Sequence, residues 1–275
     1  MERHVLGISG GKDSAALAVY MRQYFPEIEI EYFFTDTGKE LIEVYEFLGR
    51  LEGFLGKPIK RLNPRRDFDF WLMQYKNFLP SPQTRWCTRQ LKLKPFEDWI
   101  KPSLDIDEKV VSYVAIRSDE PYREGYSSTN SNLEIKLPFV EAFIDKEGVI
   151  ELLENSGLGL PEYYNWRSRS GCTFCFFQRK IEWVGLLEHH PAAFDEAEAY
   201  EKTALNNGSP FTWCQGEPLS ELRKEYRILE IKKVHAQRVA AAHSRLQHNP
   251  LRPLPEAIDF DEIYGTQKVC LACHK

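Results

Sequence analysis

The segment that most constrains this chain is the passage from a short apolar run, His4 to Ile8, through Ser9-Gly10-Gly11 into a stretch where Ala16, Leu17, Tyr20 and Tyr24 recur at helical spacing. It reads as a strand, a glycine turn and a helix. A glycine turn that opens a helix directly after a buried strand offers free backbone N–H groups and the positive helix end to an anion. Lys12 adds a cation there, and Ser9 and Ser14 add hydroxyl donors. A Walker A loop would need a hydroxyl residue after the lysine, and Asp13 follows instead, so the phosphate loop is of another kind.

The pattern then repeats. Ile28 to Phe34 is rich in β-branched and aromatic residues, ends at Thr35-Asp36-Thr37-Gly38, and leads into a second helical pattern through Leu41, Val44, Tyr45 and Leu48. Such βαβα alternation predicts an α/β fold, a parallel sheet flanked by helices, with ligands at the carboxyl ends of the strands. Ile59 to Leu62, Val110 to Ile116 and, more weakly, Ile135 to Val140 are further strand candidates. Phe68 to Tyr75 reads as a short helix, and Phe78 to Gln90 as a loop before a helix that ends near Ile100, with Pro95 in its first turn. A boundary near Val140 divides the chain into 1–140, which carries the phosphate loop, and 141–275, mainly helical and cysteine-bearing. Helices are expected over Val149 to Asn155, Ile181 to Glu188, Ala192 to Leu205 and Leu219 to Gln247, and an irregular tail over 249–275.

Composition removes several classes of function. The chain has 275 residues, 43% of them hydrophobic and 28% charged, and no run approaches the roughly 18 apolar residues of a membrane span. The N-terminus carries neither a signal-peptide apolar region nor a cleavage site, which predicts a soluble, cytoplasmic protein with no membrane partner. With 36 Lys and Arg against 41 Asp and Glu, the whole chain lacks the field of a self-sufficient nucleic-acid binder, so any such contact is local or shared with a partner.

Ser9-Gly10-Gly11-Lys12-Asp13-Ser14 resembles the pyrophosphatase (PP) loop of the adenine nucleotide α-hydrolase superfamily. The resemblance implies a PP-loop ATP-binding domain over 1–140, with Ser9, Gly10, Gly11, Lys12, Asp13, Ser14 and Asp36 around the nucleotide, and cleavage of ATP to AMP and pyrophosphate. Phe34-Thr35-Asp36-Thr37-Gly38 and the segment from Ala115 through Arg117 and Glu120 to Arg123 look like motifs of the phosphoadenylyl-sulfate reductase branch, with Ala115 where that branch has glycine. Cys87-Thr88-Arg89-Gln90-Leu91-Lys92 is similar to a segment of DNA phosphorothioation sulfurtransferases of the Dnd/Ssp type. The resemblance spans about residues 4 to 185.

Physical roles follow. Lys12, Arg117 and Arg123 neutralise charge on a leaving pyrophosphate, and Asp13 is the acidic candidate for Mg²⁺. Arg117 and Arg123 have a competing role in pairing with Asp119, Glu120 or Glu124, and Asp36 in capping a turn.

Cys172-Thr173-Phe174-Cys175 and Cys270-Leu271-Ala272-Cys273 each have the spacing that lets two thiolates reach one metal. Two arrangements follow. In one, Cys87, Cys172 and Cys175 join Cys270, Cys273 or Cys214 around a [4Fe–4S] cluster, for which the reductase branch supplies precedent. In the other, the two pairs hold zinc or an iron–sulfur centre, and Cys87 carries a persulfide as a catalytic residue. Cys270 to His274 also fits c-type haem attachment, which an unexported chain excludes.

Arg85, Arg89, Lys92 and Lys94 surround Cys87, and Arg167, Arg169, Arg179 and Lys180 flank the first pair, with Trp86 and Trp166 interleaved. Basic groups among aromatics can track a nucleic-acid backbone. The expectation is an ATP pyrophosphatase that activates an acceptor for sulfur transfer, with DNA reached through a multiprotein complex and a cysteine desulfurase as sulfur donor. Its rivals are reduction of an adenylyl sulfate, tRNA thiolation and a nucleotide-sensing scaffold subunit.

Overall fold

In the computed structural model, which describes residues 2–63, 65–123, 128–208, 211–214 and 216–247, five parallel strands lie in the order β3-β2-β1-β4-β5. β1 (Glu2–Gly7) is central, between β2 (Ile30–Phe34) and β4 (Lys109–Tyr113), with Leu6 in register with Tyr32 on one side and Tyr113 on the other. β3 (Ile59–Arg61) and β5 (Leu133–Lys136) form the edges. The chain winds outward from β1 to β3 and then crosses to β4, so the switch point falls between β1 and β4, where an open parallel sheet places its ligand.

α1 (Lys12–Tyr24) follows the glycine turn, buries Ala15 to Val19 and packs on α7 (Lys146–Asn155). α2 (Ile42–Leu55) returns the chain from β2 to β3. α3 (Phe68–Gln74) starts at Asp67, whose carboxylate accepts from the Phe70 amide at 2.8 Å, a side-chain N-cap. Where a loop is expected up to Gln90, helix begins at Trp86: α4 (Trp86–Thr88) runs through a π-turn (Arg89–Leu93) into α5 (Lys94–Asp105). A π-turn inside a helix shifts the faces that follow it and is frequent at functional sites.

The last expected strand is cut short. Pro138 cannot donate to a ladder, so β5 stops at Lys136 and Pro138–Glu141 forms the helical turn α6. The expected helix from Leu219 to Gln247 is likewise two pieces, α10 (Leu219–Leu222) and α11 (Glu225–Gln247). α8 (Lys180–His189) and α9 (Pro191–Asn206) fall within a residue or so of expectation. The tail from 249 onward lies outside the described residues. One apolar cluster contains Leu17, Phe47 and Phe139 together with Val149, Trp183 and Phe194, so residues on both sides of Val140 share a core. Each such large side chain contributes on the order of 1.5–3 kcal/mol by burial. Among the described residues no helix is long and apolar enough to cross a membrane.

Candidate functional site

The glycines of the turn are required by close approach. Gly10 has φ +73°, and a Cβ there would lie 2.5 Å from Val44 Cγ1; a Cβ on Gly11 would lie 2.7 Å from Ser170 Oγ. The turn is held from within, since the Ser9 amide donates to Ser14 Oγ at 3.0 Å and the Gly11 amide to Ser9 Oγ at 3.3 Å. It is held from outside by a 3₁₀ turn, Glu162–Asn165. Tyr163 Oη donates to the Gly10 carbonyl at 2.7 Å, and the Lys12 amide donates to Tyr164 Oη at 3.1 Å. Neither tyrosine was legible as a site residue, because nothing in their spacing connects them to a loop some 150 positions earlier.

Lys12, Asp13 and Arg117 converge at the mouth of the switch point. Lys12 Nζ lies 3.1 Å from both carboxylate oxygens of Asp13, and Arg117 Nη1 lies 3.0 Å from Oδ1. Burial alone would raise the Asp13 pKa, but Lys12 and Arg117 outweigh it and hold the carboxyl well below its ordinary value. The pairing likewise outweighs burial at Lys12 and Arg117, whose pKa values are raised. Asp13 therefore holds two cations side by side, and a Mg²⁺ ion at its carboxylate would compete with both.

The pairing role weighed for the two arginines is present in both. Arg117 Nε reaches Asp119 at 2.8 Å in addition to Asp13, while Arg123 Nη1 is bound to Glu120 at 2.7 Å and braces the Arg117 loop. Asp36 takes the turn role: Oδ1 accepts from the Gly38 amide and from Tyr45 Oη, both at 2.8 Å.

A second cavity, of about 50 Å³, is lined by Cys87, Cys172 and Cys175 together with Lys39, Lys92 and Phe68. Burial first, and then Cys175, push the Cys87 thiol up to about 12. At Cys172 the hydrogen bond with Cys175, followed by burial, raises the thiol well above its ordinary value. Arg167 sets this turn, donating to the Gly171 and Cys172 carbonyls at 3.1 and 2.7 Å. Arg167 is fully buried and Arg179 and Trp86 nearly so, which removes them from the expected nucleic-acid surface. Arg85 and Arg169 lie over the Phe177 ring at the rim.

The three thiols line one small cavity. The cavity has room for a few waters at about 10–15 Å³ each, and among the described residues no group of three or more His, Cys, Asp or Glu is arranged to hold a metal ion. Cys270 and Cys273, needed for either expected metal centre, lie outside the described residues. Cys214, the reserve ligand, is buried beside Trp213 and does not line the cavity.

The two sites share one segment. Ser170 Oγ donates to Ser9 Oγ at 3.4 Å, and two residues later Cys172 bridges Glu40 and enters the thiol cavity.

Comparison with known proteins bears on the first site. Residues 3–126 match the phosphoadenosine phosphosulfate reductase domain. The match takes in the loop from Ser9 to Ser14, Asp36, Cys87, Arg117 and Arg123 and ends before Cys172. Residues 3–126 are thus similar to that domain over somewhat less than half of the chain. Two uncharacterized proteins of Methanocaldococcus jannaschii are similar: one is 30% identical over 118 residues, covering 43% of this chain and 23% of that protein, and one is 23% identical over 197 residues, covering 68% and 45%. The chain therefore spans less than half the length of these relatives. Among solved structures, the phosphoadenylyl-sulfate reductase of Candida auris in complex with phosphate is similar at a TM-score of 0.47 and 11% identity, over 62% of this chain and 81% of that one.

Proposed function

We propose that the protein is an ATP pyrophosphatase that activates an acceptor for sulfur transfer, with a DNA backbone phosphate as the acceptor. The observation that carries this reading is the shared wall: Ser170 touches the phosphate loop and Cys172, two residues on, faces two further thiols. An acceptor oxygen attacks the α-phosphorus, the bond to the β-phosphate breaks, and pyrophosphate leaves with the electron pair. Lys12 and Arg117, held by Asp13, stabilise its growing charge. A persulfide on Cys87, charged by a cysteine desulfurase, then displaces AMP from the activated phosphorus. Attack of the Cys175 thiolate on the Cys87 sulfur releases the phosphorothioate and leaves a Cys87–Cys175 disulfide, which an external thiol reduces.

The test is direct. The protein with ATP and Mg²⁺ should release AMP and pyrophosphate, and with a desulfurase, cysteine and DNA it should yield phosphorothioate dinucleotides by mass spectrometry. ADP and orthophosphate as products would overturn the first step. The domain match favours one second reading, reduction of phosphoadenylyl sulfate, which sulfite release from that substrate would establish.

A further inference from the structure

A larger cavity, about 520 Å³, opens beyond the carboxyl end of β3 and lies within the range of about 300–1,000 Å³ usual for ligand sites. Its lining includes Arg61, Arg65, Arg66, Lys94, Trp71 and Trp99. Asp98, paired with Lys94 at 3.2 Å, is the one carboxylate among the lining residues. Four cations against one acid stand out on a chain whose net charge is −5. Arg65 has no ion-pair partner among the described residues, Arg61 lies 4.0 Å from the Asp36 carboxylate outside the lining, and Arg61 and Arg66 rest on the rings of Tyr45 and Phe70 at 5.2 and 4.3 Å. Both indoles are fixed: Trp99 by Arg3 and Lys60 at 4.4 and 5.4 Å, and Trp71 by the edge of Phe70 at 5.4 Å.

Fixed aromatic surfaces among cations suit a ligand with both anionic groups and flat rings. A phosphopeptide does not repeat a flat ring beside every anionic group, and a duplex keeps its base faces stacked. A single strand offers both, with phosphates for the cations and an open base face for an indole. We propose that this cavity seats a single-stranded polynucleotide. The placement suits an acceptor, because the same helix borders both cavities: Gln90 and Lys94 face this one, while Cys87, Leu91 and Lys92 face the thiols. On α3, Trp71 and Phe68 are divided the same way. The fate of the strand rests on the sulfur-transfer reading; its binding does not.

The test is fluorescence anisotropy with short labelled single strands of DNA and of RNA and with a duplex, at low and moderate salt, on the full chain. The Arg65→Ala/Arg66→Ala double variant alters exposed side chains, and its melting temperature controls for folding. It should bind single strands at least tenfold more weakly and flatten the slope of log affinity against log salt by about 1.4, since each phosphate contact on a single strand contributes about 0.7. Trp71→Leu should weaken binding about 5- to 150-fold, the loss of one base stack. The proposal is overturned if the parent chain fails to bind single strands, if the arginine variant binds like the parent, or if the parent prefers duplex. AMP release by the parent is measured separately, so failure of the ATP reading with arginine-dependent strand binding intact would leave this assignment standing.

Discussion

The backbone amide of Lys12 donates to the phenol oxygen of Tyr164 at 3.1 Å, so a first-turn N–H of α1, of the kind that meets a phosphate, is already satisfied by a side chain 152 positions later in the chain. A nucleotide phosphate that uses this amide must displace the tyrosine. Tyr164→Phe should therefore bind ATP about 2- to 10-fold more tightly by calorimetry, while the free protein loses about 1 kcal/mol of stability, the net worth of one hydrogen bond. An unchanged affinity would mean that nucleotide does not compete for this amide.

Arg117 and Arg123 should behave differently although both are buried cations. Arg117→Ala removes one of the two cations on Asp13, so AMP formation should fall about 10²-fold or more, with a stability loss of about 3 kcal/mol from the broken ion network. Arg123→Ala removes the nearer cation from Glu120, which keeps Arg117 as a partner, and should cost stability with a smaller effect on turnover. Steady-state kinetics and thermal melts on the two variants separate the roles.

Acid should unfold the chain through specific carboxylates. Asp13 is held below its ordinary range by Lys12 and Arg117, and Glu217 is held down to about 2 by Arg227 and Lys180. Each contributes stability that is fully present above the unfolded carboxylate value and is lost as pH falls through the lower folded value. For Glu217 that window runs from 4.5 down to about 2. Urea titrations at stepped pH should show stability falling there, and Glu217→Gln should flatten the slope.

Cys87, pushed up to about 12, is a thiol at neutral pH and should alkylate with iodoacetamide more slowly than an exposed cysteine. Cys87→Ser should stop sulfur transfer while AMP still forms. Cys214, also raised to about 12 but set apart from the thiol cavity, should cost only stability when replaced by Ser. Sulfur-35 transfer and AMP assays on both variants check the difference.

The strand–turn–helix at Ser9 to Ser14 was legible because its signal is local: an apolar run, two glycines and a helical period. Strands β1 to β4 followed for the same reason. The end of β5 was misplaced because apolar residues continue past Lys136, whereas Pro138 decides where the ladder stops. The helix start at Trp86 was hidden by nearby prolines, and the break before Glu225 by an unbroken charged pattern. Local spacing also could not distinguish cations on the surface from those inside. Arg167 reads like Arg169 in sequence, yet one is buried on backbone carbonyls and the other lies at the rim of the thiol cavity. The cavity beyond β3 needed Arg65, Trp71 and Trp99 from three separate elements, a convergence only the fold creates.

The helix that carries the π-turn is a common partition, with Lys94 on one cavity and Cys87 on the other. Occupants on its two sides are thermodynamically linked wherever one of them shifts it. If a bound strand makes the loading of sulfur on Cys87 more favourable by some factor, loaded Cys87 must tighten the strand by the same factor. Charging and acceptor capture would then reinforce one another, and a chain without its acceptor would hold less reactive sulfur than one with it.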